Sequence, residues 1–157
     1  MIKYILPKKM IAHACVKPGG VRMAIKWSPE YAIDVEIIDN QHKELFNAVN
    51  NLLEACSQGK GKEEAGKILQ FLENYVVEHF QTEEGIQREN GFPEYPQHKA
   101  AHEGFIQSFT ELKKAFAEEG VTLSFVVKIN KMVVDWLIQH VTQADKRLGI
   151  YLKKGAL

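Results

Sequence analysis

Beyond position 35, apolar residues recur at intervals of three and four in four runs, separated by turn-forming residues. The first run puts Ile38, His42, Leu45, Val49, Leu52 and Cys56 on one stripe. The second gives Ala65, Leu69, Leu72, Val76, His79, Glu83 and Ile86, and the third His98, His102, Phe105, Phe109, Leu112 and Phe116. The fourth gives Val126, Ile129, Val133, Trp136 and His140. Steps that alternate between three and four residues keep side chains on one helical face, so each run predicts an amphipathic helix lying nearly antiparallel to its neighbours. The breaks are GKGK at 59–62, ENGFPEYP at 89–96 and AEEGVT at 117–122, and strand-period alternation of useful length is missing. Four such segments on short connections predict an all-α fold, an up-down-up-down antiparallel four-helix bundle.

Five histidines sit on stripes where an apolar residue is normal. One histidine on such a face is ordinarily a satisfied core residue. Five are different: if histidines fell anywhere on a helix, each would meet a stripe roughly two times in seven, and all five roughly a few times in a thousand. Their positions along the helices add a second test. His42 lies near the start of the first segment, His79 and Glu83 near the end of the second, His98 and His102 at the start of the third, and His140 near the end of the fourth. In an up-down bundle these regions share one end, each about 30 Å from the opposite turns at 1.5 Å per residue. The histidines are expected to converge.

Imidazoles gathered in a dry core need partners, and a metal supplies them. His79 and Glu83, like His98 and His102, stand one helical turn apart and make natural two-ligand grips. Five histidines exceed one ordinary zinc site, so two metals are the economical reading, and two metals call for bridging anions. Glu83 lies on the stripe and is the better bridge. Glu84, a further 100° round the helix, reads as a solvated carboxylate, and glutamine in its place is expected to leave the metal's spectrum nearly unchanged. Asp145 follows His140 by five positions, slightly off the stripe, so it reaches in from the flank or the helix adjusts locally. With His98, His102 and His140 on one metal, His42 and His79 on the other, two bridging carboxylates and a bridging oxide or hydroxide, the first metal is six-coordinate and the second five-coordinate. The open position would face an apolar pocket suited to a small molecule.

Composition narrows the class. The chain has 157 residues, 45% hydrophobic and 25% charged, with twenty basic residues against twenty acidic ones. That describes one ordinary globular domain without a net field to attract nucleic acid or an anionic membrane, and its uncharged runs are too short to span a bilayer. Cys15 and Cys56 fit no disulfide or metal-finger spacing, and Cys56 reads as a buried free thiol; both suit a reducing, cytoplasmic setting. Residues 1–22, with Pro7, Pro18 and paired glycines, read as an irregular N-terminal extension, dispensable or mis-assigned, upstream of a domain at 23–157 that opens at Met23.

The ordered set His42, HFQTE at 79–83, HKAAH at 98–102 and HVTQAD at 140–145 resembles the hemerythrin family, in its bacterial branch. Trp27, IDNQHKELF at 38–46 and WLIQH at 136–140 add matching context, from Trp27 to about Leu152; only the N-terminal extension departs from the pattern. The resemblance implies a hemerythrin-like bundle with two iron ions bridged by oxide or hydroxide. Their ligands would be His42, His79, Glu83, His98, His102, His140 and Asp145, with O2 bound reversibly at the iron held by His42 and His79. The expected protein is an oxygen carrier or store rather than an enzyme, a monomer that delivers O2 to an oxygen-consuming enzyme. Val141, Trp136, Leu137 and Phe80 are candidates for an apolar wall that keeps water away.

Three alternatives stay open at this point. A ferritin-like di-iron oxidase or peroxidase is disfavoured because the residues three before each histidine are Asp39, Val76, Tyr95, Lys99 and Leu137, never the glutamate of a Glu-x-x-His pair. The domain could serve as an O2 or redox sensor acting through a partner protein. Mononuclear zinc or manganese also remains open, because a donor set does not fix metal identity.

Overall fold

Helices form where the four stripes predict them. In a computed structural model describing residues 24–59 and 61–155, α1 spans Glu36–Ser57, α2 Gly61–Glu89 and α3 Tyr95–Glu119. A fourth helical arm continues from α4 (Leu123–Ile129) through a π-turn at Asn130–Val134 to α5 (Asp135–His140). It then passes through a second π-turn, Val141–Asp145, into α6 (Lys146–Gly155). Among the described residues there is no strand. α1 packs on α2, α2 on α3, α3 on α4, and α4 returns to α1, which closes the up-down-up-down bundle. The extension expected at residues 1–22 lies outside the described residues.

The connections use the chemistry their sequences advertise. Gly91 and Gly120 take φ of 65° and 73°, a left-handed backbone that residues with a Cβ adopt reluctantly. Pro96 stands in the first turn of α3, where its missing N–H costs nothing. The Thr122 side chain accepts a hydrogen bond from the Phe125 amide at 3.1 Å and so caps α4.

The stripes hold with three shifts. Cys56 and Ile86 are half-buried rather than buried, and the inward position after Glu83 is taken by Gln87, one full turn on. In the fourth arm Val126 and Trp136 are half-buried, while Phe125, Val134 and Leu137 are in the core. Beyond Ile129 the two π-turns reset the face that points inward. Each adds a residue to its turn and rotates the helix beyond it, which a uniform three-and-four count does not anticipate.

The segment before α1 straps the bundle's histidine-bearing end. Ile25 and Asn50 exchange two hydrogen bonds of 2.7 Å, and buried Asp39 accepts from the Ile33 and Asp34 amides at 2.8 and 3.0 Å. Asp34 pairs with Lys153, and Lys146 donates to the Ala32 carbonyl. Gly149 permits this approach, because a Cβ there would lie 2.5 Å from the Ile33 carbonyl oxygen. The strap lays Trp27 beside His42, ring centroids 6.2 Å apart.

Candidate metal centre

Seven polar side chains from the four helical arms meet at that strapped end: His42 from α1, His79 and Glu83 from α2, His98 and His102 from α3, and His140 and Asp145 from the fourth arm. All are buried, with His42, Glu83 and Asp145 fully enclosed. Asp145 arrives through the second π-turn. In such a turn, positions five apart stack as positions four apart do in an α-helix, so Asp145 comes back over His140. Its Oδ1 stands 3.1 Å from His140 Nε2.

The donors form two groups. His98, His102 and His140 bring their Nε2 atoms together, His140 lying 2.9 Å from His98 and 3.0 Å from His102. His42 and His79 form the second group with Asp145. Both carboxylates straddle the two groups. Glu83 Oε1 is 3.0 Å from His98 Nε2, while Oε2 is 3.7 Å from His79 Nε2. Asp145 Oδ1 is 3.2 Å from His98 Nε2, while Oδ2 is 3.2 Å from His42 Nε2. Asp145 thus offers one oxygen to each group, whereas Glu83 Oε2 lies equally near the two, 3.7 Å from both His79 and His102.

Several of these atoms lack the hydrogen bonds that burial demands. Both His42 ring nitrogens, Glu83 Oε2 and both Asp145 oxygens are buried without one. Buried polar atoms are ordinarily satisfied, and convergent orphans of this donor type are what a pair of cations would complete. The donor set fits two metal ions.

Electrostatics sort the histidines. Burial, reinforced by His42, pushes His79 down to about 3, and burial with His140 and His98 pushes His102 down to about 2. Both rings are therefore neutral. Burial also opposes the charged form of His98, but the carboxylates of Asp145 and Glu83, 3.2 and 3.0 Å away, carry it up to about 9. Glu83 is raised by burial and then by the neighbouring Asp145 charge. Burial works against Asp145 as well, yet the charge of His140 and the close approach of the His140, His42 and His98 imidazoles hold it well below the usual carboxylate range. Without metal, a proton on His98 stands in for part of the missing cation charge.

These shifts predict a maximum in the metal-free protein's melting temperature near pH 6.5, the ordinary histidine value. Below it the unfolded chain gains protons that His79 and His102 refuse, so stability falls with acid. Above it the unfolded chain releases the proton that His98 retains, so stability falls with base. Melting curves of chelator-treated protein from pH 5 to 9 check this; a monotonic trend would contradict it.

Around the seven stand side chains that sequence reasoning missed or misjudged. Glu84 is not a solvated carboxylate: it is half-buried, and its Oε1 accepts from His102 Nδ1 at 3.0 Å. The ring of His102 reaches across to α2, which a 100° offset counted along α2 alone does not reveal. Gln41 Oε1 accepts from His79 Nδ1 at 3.1 Å. Gln87, fully buried, donates to Glu83 Oε1 at 3.0 Å. Its position four after Glu83 was a readable signal; the contact of Gln41 across two helices was not. The four candidates for an apolar wall also gather here. Phe80 stacks on His102 with centroids 3.7 Å apart, and Trp136 stacks on His140 at 4.3 Å. Leu137 and Val141 are buried, and Leu137 lines a narrow apolar gap with Phe80 and Trp136.

Comparisons with known proteins point one way. Residues 33–149 match the family Hemerythrin, described as the hemerythrin HHE cation binding domain. A bacteriohemerythrin of Methylococcus capsulatus is 32% identical over 120 residues, 76% of this chain and 89% of that protein. A myohemerythrin of Theromyzon tessulatum is 25% identical over 122 residues, 76% and 87% of the two chains. The crystal structure of a wild-type hemerythrin superposes with a TM-score of 0.72 at 32% identity, covering 82% of this chain and 97% of that one.

Proposed function

The chain belongs to the hemerythrin family, and from that premise we propose that it binds O2 reversibly at two iron ions, as a carrier or store rather than an enzyme. His98, His102 and His140 would hold one ion and His42 and His79 the other. Glu83 and Asp145 would bridge them together with an oxide or hydroxide. The observation that carries this reading is the division of Asp145, one oxygen toward each histidine group, with Glu83 Oε2 placed equally near His79 and His102. When bound, such an iron pair supplies the two electrons that reversible O2 binding exchanges.

The rest is work for the protein's own residues. The unequal split of histidines leaves the His42–His79 side one donor short, so a small ligand would bind there. Gln87 fixes one oxygen of Glu83 and holds the bridge in its rotamer. Phe80, Trp136, Leu137 and Val141 present apolar faces around the donors, excluding the water and protons that would promote irreversible oxidation. The histidine-rich donor set, five imidazoles to two carboxylates, suits holding O2 more than activating it.

The deciding experiment is the iron content and visible spectrum of the purified full chain, reduced, then aired, then deoxygenated. Two irons per chain are expected, with a charge-transfer band that appears in air and disappears when oxygen is removed. Failure to bind iron, or irreversible bleaching after one exposure, would count against O2 carriage. Steady O2-dependent consumption of a reductant would favour an oxidase instead.

A further inference from the structure

We infer that Glu84 is a positioning residue for the three-histidine metal position, and that it makes the two metal positions electronically unequal. This rests on the two-metal reading of the site, but on side chains outside the seven proposed ligands. His102 and His79 are each gripped at Nδ1, by acceptors at nearly the same distance and of different charge. His102 Nδ1 donates to the Glu84 carboxylate at 3.0 Å. His79 Nδ1 donates to the Gln41 carboxamide oxygen at 3.1 Å.

In both cases the bond places the proton on Nδ1 and leaves the Nε2 lone pair facing the other donors, so the tautomer is set by the partner. The consequences then diverge. A carboxylate acceptor draws the Nδ1 proton toward itself and makes Nε2 a stronger donor to a metal. A carboxamide holds the ring without adding charge. Gln41 is itself held from behind: its Nε2 donates to Thr82 Oγ1 at 3.3 Å, and Thr82 donates to the Glu78 carbonyl at 2.9 Å. Glu84 has 14% side-chain exposure, enough shielding from water for its charge to act on His102. The three-histidine position thus has more nitrogen donors and also the charged partner, and both favour the higher oxidation state there. The two-histidine position has fewer donors and a neutral partner.

Two substitutions separate charge from grip. Glu84→Gln keeps an acceptor oxygen and loses the charge, and Glu84→Ala loses both. Metal-depleted full-length protein is titrated with Co2+, and the iron-loaded protein is poised for its midpoint potential. In Glu84→Ala, one of the two Co2+ equivalents should weaken by roughly 10–100-fold and the other should stay near wild type. Glu84→Gln should lose less affinity yet shift the midpoint potential upward, and Gln41→Glu should shift it downward. A purely structural role for Glu84 would not move the potential in opposite directions in these two variants. Wild-type affinity for both Co2+ equivalents in Glu84→Ala, or an unmoved potential in Glu84→Gln, overturns the inference. The two readings fail separately: absence of a reversible band in iron-loaded wild type counts against O2 carriage, whereas unchanged Co2+ affinity counts against Glu84.

Discussion

Removal of metal by a chelator should lower the melting temperature by roughly 15–30 °C. A metal present at a thousand times its dissociation constant stabilises the folded state by about 4 kcal/mol, so two contribute about 8. At roughly 2–4 °C per kcal/mol for a chain of this size, that gives the stated shift. The structural reason lies in the core. His42, Glu83 and Asp145 bury oxygen and nitrogen atoms that have no hydrogen bond, so the metal-free fold carries their desolvation uncompensated. Calorimetry with and without chelator checks the shift, which should also grow with free metal concentration. A melting temperature indifferent to chelator would mean that the seven side chains do not hold metal.

The second large effect falls on Glu83. Replacing it by glutamine should reduce bound metal from two ions per chain to one or none and abolish the visible band. Glutamine nearly preserves the volume and leaves Gln87 a carbonyl oxygen to donate to. What it removes is a negative charge from a group whose Oε1 faces His98 and whose Oε2 lies equally near His79 and His102. Two divalent cations would then share the single charge of Asp145 in a dry core, which Coulomb repulsion at low dielectric disfavours. The metal-free variant should nevertheless melt within about 1–2 kcal/mol of wild type, because burial already works against the Glu83 charge. Metal analysis alongside melting of the metal-free variant separates the outcomes. A Glu83→Gln protein that kept two metals would remove Glu83 from the bridge.

Much of the architecture was legible because helix periodicity is a local property. Stripes such as Leu45–Val49–Leu52 and Phe105–Phe109–Leu112 needed only the 3.6-residue repeat, and all these residues are core. The meeting of five histidines and Glu83 was legible for a related reason: helix length and alternating direction set the level of each residue along the bundle. Asp145 stood at the limit of this logic. A five-residue step from His140 fits no regular α-helical face, and the π-turn at Val141–Asp145 resolves it. Nothing in a count of threes and fours could choose between that turn and an approach from the flank.

The amino-acid sequence by itself determined the four helices, the end of the bundle where polar residues collect, and the donor types gathered there. These are consequences of spacing along one chain, where each residue's place is set by its neighbours a turn away. Only the tertiary structure decided how Asp145 divides its oxygens between the two groups, and that Glu84 faces His102 while Gln41 faces His79. Those facts depend on rotamers and on the approach of one helix to another. A difference of a few ångströms between helices turns a solvated glutamate into a partner of a buried imidazole.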